Sequence, residues 1–310
     1  MRNTTKNTEP TSNDYVSRVN RAIDFILGHI DQPLNLEIVA KAACFSPFHF
    51  HRIFRSLVGE SLNEFVKRVR LERALKLLTQ QSWSNSRGQT LTEIAFACGF
   101  ASSSDFSRCF RQKFGVPPSE FDVESFRHQR RNEWQECVTE PGDRHLLEGL
   151  PAGSNPDGFE VSIRELPPRC VAYIRVPDPY QPDAVELAAK RLVEWAEEQG
   201  LADGQWLGYM WDDPEVVDHR KCRYDVGLVV PDVKPKGEIG RFDFPRMRVA
   251  EVELRGGIDL EMRCLDWLFK TWLPSSGYYP CDHPNFEAWI GRPFAHGNSY
   301  FELLAQIPIV

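Results

Sequence analysis

Ser103, Ser104, Ser107, Arg108 and Arg111 are hydrogen-bond donors spaced to share one face of a helix, while Phe106, Phe110 and Phe114 fall on the opposite stripe. Hydroxyls and guanidinium groups in such a row suit the base edges and phosphates of a DNA groove. Ser102 occupies an N-cap position with Asp105 three residues on, the capping-box spacing. Gly115, followed by Pro117 and Pro118, ends the helix. Far along the chain a second pair could do chemistry. In a strand Glu287 and Trp289 share one face, and Phe286, Ala288 and Ile290 take the other. A carboxylate beside an indole suits a cationic or amphipathic ligand, through charge and cation–π attraction. Spacing alone leaves open a solvated glutamate on an edge strand.

The elements that would position the first group recur. Leu91, Ile94 and Ala95 suit a short preceding helix, and Gly99 sits where a tight inter-helix turn needs a residue without a Cβ. Leu36 and Ala40 correspond to Leu91 and Ala95. After one inserted residue, Ser46, Phe50, Arg52, Phe54, Arg55, Gly59 and Phe65 correspond to Ser102, Phe106, Arg108, Phe110, Arg111, Gly115 and Phe121. Between the copies, Leu62 to Thr79 reads as one helix about 27 Å long, a rod able to hold two reading helices roughly one DNA turn apart. A helix capped by Asp14, with Val16, Val19, Ile23, Ile26 and Ile30 on one stripe, precedes the repeat. A last helix, Phe121 to Gln129, closes it, with Arg127, Arg130 and Arg131 at its basic end facing either phosphate or solvent.

These residues resemble the AraC/XylS family of bacterial transcription regulators over about residues 14 to 128. The sharpest signature is Gly99-Phe100, then Phe106-Ser107-Arg108-Cys109-Phe110-Arg111, then Phe114-Gly115-Val116-Pro117-Pro118. The resemblance implies an all-α domain of two helix-turn-helix units joined by a central helix. It also implies base contacts from Phe48, His51 and Arg52 in the first unit and from Ser103, Ser104, Ser107 and Arg108 in the second, with Arg55 and Arg111 nearer phosphate. One departure is Cys44, which stands in the turn where the second copy has Gly99.

Composition is that of a globular protein, 42% hydrophobic and 26% charged over 310 residues, long enough for two domains. The net charge of −7 hides an asymmetry. Residues 14 to 131 carry 17 Lys and Arg against 12 Asp and Glu, whereas residues 132 to 310 carry 18 against 31, so only the first part suits a polyanion. The eight cysteines form no C-x-x-C pair and no cluster at zinc spacing, which reads as reduced thiols with no metal and no cofactor. Residues 1 to 13 are polar, without the apolar core of a signal peptide, and read as a disordered leader. No run approaches 18 apolar residues, so a cytoplasmic protein with no membrane segment is expected.

Residues 132 to 157, with Pro141-Gly142 and Pro156-Asp157-Gly158, have the composition of a linker. From residue 158 to 310 the pattern alternates. Strands are expected at Phe159–Glu165, Cys170–Val176, Leu207–Trp211, Tyr224–Val230, Arg248–Leu254, Phe286–Ile290 and Tyr300–Ile307, interrupted by helices at Ala184–Gln199 and Leu260–Trp272. This half resembles the gyrase-inhibitor-like (GyrI-like) effector-binding domain. The segments that carry the likeness are Ala172-Tyr173-Ile174-Arg175, Trp211-Asp212-Asp213-Pro214-Glu215, Cys222-Arg223-Tyr224-Asp225, Trp272 to Tyr278 and Pro284-Asn285-Phe286-Glu287-Ala288-Trp289. It implies an α+β domain of two pseudo-symmetric strand-helix-strand-strand halves around a small-molecule pocket. Pro177-Asp178-Pro179-Tyr180 stands where Gly-Pro-Tyr is usual, and Trp289 where Tyr is usual.

Beside Glu287 and Trp289, the residues Tyr173, Tyr180, Tyr209, Trp211 and Trp272 are candidate pocket walls, with plain core as the alternative for each. Asp212-Asp213 before Pro214 reads as a turn cap. The expected function is a regulator that binds promoter DNA, takes a small cationic or amphipathic effector and has RNA polymerase as a protein partner. The alternative is an enzyme, a hydrolase of a small electrophilic compound, attached to a DNA-binding domain, since fold does not fix function.

Overall fold

The computed structural model describes residues 12–83, 89–138, 150–234 and 236–310. Seven helices come first: α1 (Ser12–Gly28), α2 (Leu36–Ala42), α3 (Pro47–Val58), α4 (Leu62–Trp83), α5 (Leu91–Ala97), α6 (Ser103–Phe114) and α7 (Val123–Val138). The stripes expected of the repeat are the ones buried: Phe50 and Phe54 on α3, and Phe106 and Phe110 on α6, are all fully enclosed. Thr90 and Glu93 form a complete capping box at the start of α5. At α6 the box is half made. Ser102 accepts from the Asp105 backbone N–H, but the Asp105 carboxylate turns outward to Arg108. Helix α4 extends four residues past Thr79, giving a rod of about 33 Å.

Both inter-helix turns have the same form although one lacks glycine. Phe100 N–H reaches Ala95 O at 3.0 Å, as Phe45 N–H reaches Ala40 O at 2.8 Å, and φ is positive at both Gly99 (80°) and Cys44 (56°). Cys44 therefore keeps the turn at the cost of a left-handed backbone that its Cβ disfavours. Gly99 has a second reason to lack a Cβ, which would lie 2.2 Å from the Ile30 carbonyl oxygen.

The second half is one antiparallel sheet. Its strands are β1 (Ser162–Leu166), β2 (Arg169–Pro177), β3 (Trp206–Met210), β4 (Arg223–Val230), β5 (Gly240–Phe244), β6 (Met247–Gly256), β7 (Asn285–Trp289) and β8 (Phe301–Ile309). The order β1-β6-β8-β7-β3-β4-β2-β5 reads the same from both ends: β2, β3 and β4 repeat as β6, β7 and β8, and the halves meet where β3 pairs with β7. Each half lays a helix on the same face, α8 (Ala184–Glu198) in the first and α9 (Ile258–Trp267) in the second. Helix α9 continues through a π-helical turn, Leu268–Trp272, into α10 (Leu273–Ser276). Strand β5 was not expected from the sequence. It is a five-residue edge strand on which Phe242 and Phe244 alternate with Arg241 and Asp243.

Helix α7 runs to Val138, past Gln129, and residues 139–149 of the expected linker, like residues 1–11, lie outside the described residues. Arg127 and Arg131 on α7 face neither phosphate nor solvent. Arg127 pairs with Asp213 (2.9 Å) and Glu215, and Arg131 pairs with Asp266 (2.7 Å) and Glu215 (3.2 Å), all across the domain boundary; Arg130 pairs locally with Glu133. Arg175 of β2 reaches Asp24 of α1 at 2.9 Å, and Arg73 of α4 reaches Asp282 at 2.9 Å. Val216, Val217 and Cys222 join the apolar core that α4, α5 and α6 build. Asp213 caps its turn as expected, accepting from Glu215 N–H, while Asp212 takes a buried two-oxygen pair with Arg223.

The two turns give a direct test. Cys44→Gly should raise stability by about 0.5–1 kcal/mol, the left-handed strain less the entropy of glycine. Gly99→Ala should lower it by about 3 kcal/mol, strain plus collision with Ile30. Urea midpoints of the two variants measure this; shifts of equal size and opposite sign would mean that Gly99 matters only through φ.

Candidate functional site

On α3, Phe48, His51, Arg52 and Arg55 are exposed, Phe48 by 71%, and the Arg52 guanidinium lies over the Phe48 ring at 5.6 Å. An aromatic ring left in water and carrying a cation is poor core packing but fits a groove wall. On α6, Ser104, Arg108 and Arg111 are exposed, and Ser103 and Ser107 are half-buried at the margin of the same face. Asp105 holds Arg108 at 2.5 Å, which fixes the guanidinium over the exposed turn of the helix. The structure thus gathers the nine candidate residues on the outer faces of the second helix of each unit. Gly59 and Gly115 end these helices in the same left-handed cap.

The sheet candidates divide. A cavity of about 290 Å³ opens on the helix-bearing face, beside the central β3–β7 pair. Its floor includes Met210, Glu287 and Ala305, and Ile258, Met262 and Leu265 of α9 line one side. Tyr180 and Trp211 border it, as does the Asp213-Pro214-Glu215 turn. The remaining wall comes from the helical domain: Lys76 and Thr79 of α4, and Arg127 and Trp134 of α7. Trp289 shares the strand face of Glu287 but does not line the cavity; its indole packs with Phe294 and Phe301 and against the core under α8. Tyr173 and Tyr209 point to the other face of the sheet. There Tyr173 donates to Asp24, and Tyr209 packs against Phe244 and Phe286. Trp272 stacks on Tyr278, away from the cavity.

Glu287 is placed by a relay across the sheet. Gly208 of β3 is the register partner of Glu287 on β7, and a Cβ there would lie 1.8 Å from the Tyr224 hydroxyl. That bare position lets Tyr224 cross from β4 over β3 and donate to Glu287 Oε2 at 2.5 Å. The Trp289 indole lies behind the Tyr224 hydroxyl, near enough to favour its ionised form. Burial pushes the Glu287 carboxyl up to about 7, against the opposing pull of the Tyr224 bond. No ion pair to Glu287 occurs among the described residues.

Among the cavity residues missed from the sequence, one is a buried carboxyl without an ion pair among the described residues. Glu261, in the first turn of α9, is 8% exposed and faces the cavity. Burial, and then the charge of Glu287, raise its carboxyl well above the ordinary value. The signal was present: Glu261 stands three, four and seven residues before Cys264, Leu265 and Leu268, on the buried stripe of the helix. A glutamate near a helix N-terminus is commonplace, which hid it.

A helix-turn-helix domain model matches residues 39–123, and a GyrI-like small molecule binding domain model matches residues 159–310. The regulatory protein SoxS of Salmonella typhimurium is 35% identical over 100 residues, covering 32% of this chain and 87% of SoxS. The chain belongs to the AraC/XylS family of transcription regulators. The regulatory protein PocR of the same organism is 33% identical over 112 residues, 36% of this chain and 34% of PocR, so this AraC/XylS chain spans about a third of that relative. Among solved structures, the DNA-binding domain of AdpA in complex with a target DNA is similar at 25% identity and a TM-score of 0.31, covering 37% of this chain and 96% of that one. The match to this AraC/XylS regulator's second half makes that half a small-molecule-binding domain. Among the described residues, no helix is long and apolar enough to cross a membrane, and no group of three or more His, Cys, Asp or Glu could hold a metal.

Keeping a carboxyl in the cavity of this AraC/XylS protein costs stability with a definite pH sign. A carboxyl raised from 4.5 to about 7 binds its proton more tightly folded than unfolded, so stability falls as pH climbs through that window. Glu287→Gln keeps an acceptor for Tyr224 and cannot ionise. The variant should match wild type near pH 4.5 and exceed it by up to about 3 kcal/mol at pH 8. Thermal unfolding at both pH values is the check, and a pH-independent offset would assign the effect to packing.

Proposed function

We propose that the two helix-turn-helix units read successive major grooves of promoter DNA with α3 and α6, while the cavity takes a small cationic, partly apolar effector. Phe48, His51, Arg52, Ser103, Ser104, Ser107 and Arg108 supply base contacts in this reading, and Arg55 and Arg111 supply phosphate contacts. The observation that carries the effector assignment is Glu287. A carboxylate held by one tyrosine in an apolar-walled cavity, with no cation beside it among the described residues, is stabilised most by a ligand that brings the missing charge. Tyr180 and Trp134 offer ring surface for the apolar part. Because α4 and α7 form one wall, an occupant would touch the DNA-binding domain itself. The effector then acts on the orientation of the reading helices and, through them, on engagement of RNA polymerase.

Phenyltrimethylammonium and its neutral isostere tert-butylbenzene test the charge assignment. Calorimetry on the full chain should show the cation binding more tightly, and Glu287→Gln should remove about tenfold of that preference while leaving the neutral compound unchanged. Equal losses for both compounds would remove Glu287 from the role of charge selector. On the DNA side, Arg108→Ala should cost about 1–3 kcal/mol and relax selectivity at one base pair, whereas Arg111→Ala should weaken all sequences alike and flatten the salt dependence. Selection from a random duplex library with each variant distinguishes the two.

A further inference from the structure

Of the acids that line the cavity, two have no ion pair among the described residues. Glu261 from α9 and Glu287 from β7 both face it; among the described residues neither has an ion pair, and the Glu261 carboxyl oxygens accept no hydrogen bond although the residue is more than nine-tenths buried. The cations around them are committed to other acids. Arg127 is held by Asp213 and Glu215, Lys270 by Asp266, Lys76 by Asp282 and Arg223 by Asp212. His283, on the loop before β7, is pushed down by burial, so it brings no charge at neutral pH. Tyr224 is a neutral donor. Among the described residues, then, protonation is what neutralises these two carboxylates.

We propose that Glu261 and Glu287 form a two-charge exchange site, in which each positive charge on a bound ligand displaces one proton to solvent, so that the cavity accepts compact apolar dications as well as monocations. This rests on the reading of the cavity as a cation site. Glu287 answers the first charge, since Tyr224 already stabilises its ionised form. Glu261 stays protonated beside a monocation, because a second carboxylate would meet both burial and the charge of Glu287. A second ligand charge removes that obstacle. Glu261 is therefore the residue that sets how much charge an effector carries. The raised carboxyls make pH 6 the condition at which both acids begin protonated.

Calorimetry in two buffers of different ionisation enthalpy counts the protons released at pH 6 by the full chain. Phenyltrimethylammonium should release about one and 1,4-bis(trimethylammonio)benzene about two. Glu261→Gln should reduce the dication's count to about one and weaken it about tenfold, with a cooperative thermal unfolding transition as proof of folding. Glu261→Asp, which restores an acid, should recover the second proton. A dication that fails to bind where the monocation binds, or that releases no more protons than the monocation, overturns the two-charge site and leaves the Glu287 assignment intact. No preference of the wild type for phenyltrimethylammonium over tert-butylbenzene, with no proton released, removes the cation site altogether.

Discussion

Opposite charge on the two halves of the chain is the interaction on which the remaining architecture depends. The basic part presents Arg73, Arg127 and Arg131, and the acidic part meets them with Asp282, Asp213, Glu215 and Asp266. Arg131 is 14% exposed and Asp266 10%, so these are partly desolvated pairs rather than surface contacts whose worth salt would cancel. Their geometry brings α4 and α7 over the end of the sheet where β3 finishes and β7 begins. A cavity that would otherwise open to solvent there gains a protein wall.

That closure explains the chemistry inside. Removing water from around Glu261 and Glu287 is costly in proportion to how completely α9, the sheet and the helical domain enclose them. A protein selected for stability alone would place apolar or amide side chains there. The Gly208 gap and the Tyr224 crossing hold a carboxylate in place instead, and active and binding sites are where such expense is found. Trp289 packs with Phe294 and Phe301 and does not line the cavity.

Much of this was legible from periodicity. The duplicated phenylalanine stripes of α3 and α6 foretold which faces are buried, and the alternation in the second half foretold seven of the eight strands. What escaped has physical reasons. Strand β5 is short and at an edge, where a Gly-Arg-Phe-Asp-Phe run is hard to tell from a turn. The division of Glu287 from Tyr173 and Tyr209 depends on which side of the sheet carries helices, and a single strand's pattern does not say. Arg127 and Arg131 read as facing phosphate or solvent because their partners lie more than eighty residues away in sequence. Cys44 kept the turn that a missing glycine put in doubt, because about 1–2 kcal/mol of strain is small beside the packing of two helices.

The shared wall is open to direct observation. With methyl-labelled full-length protein and bound phenyltrimethylammonium, intermolecular nuclear Overhauser effects from the trimethylammonium protons report which side chains touch the ligand. Contacts to Thr79 and Trp134 of the DNA-binding domain together with Met210 and Met262 of the ligand domain are expected. Contacts to Met210 and Met262 alone, with none to Thr79 or Trp134, would contradict a cavity built by both domains.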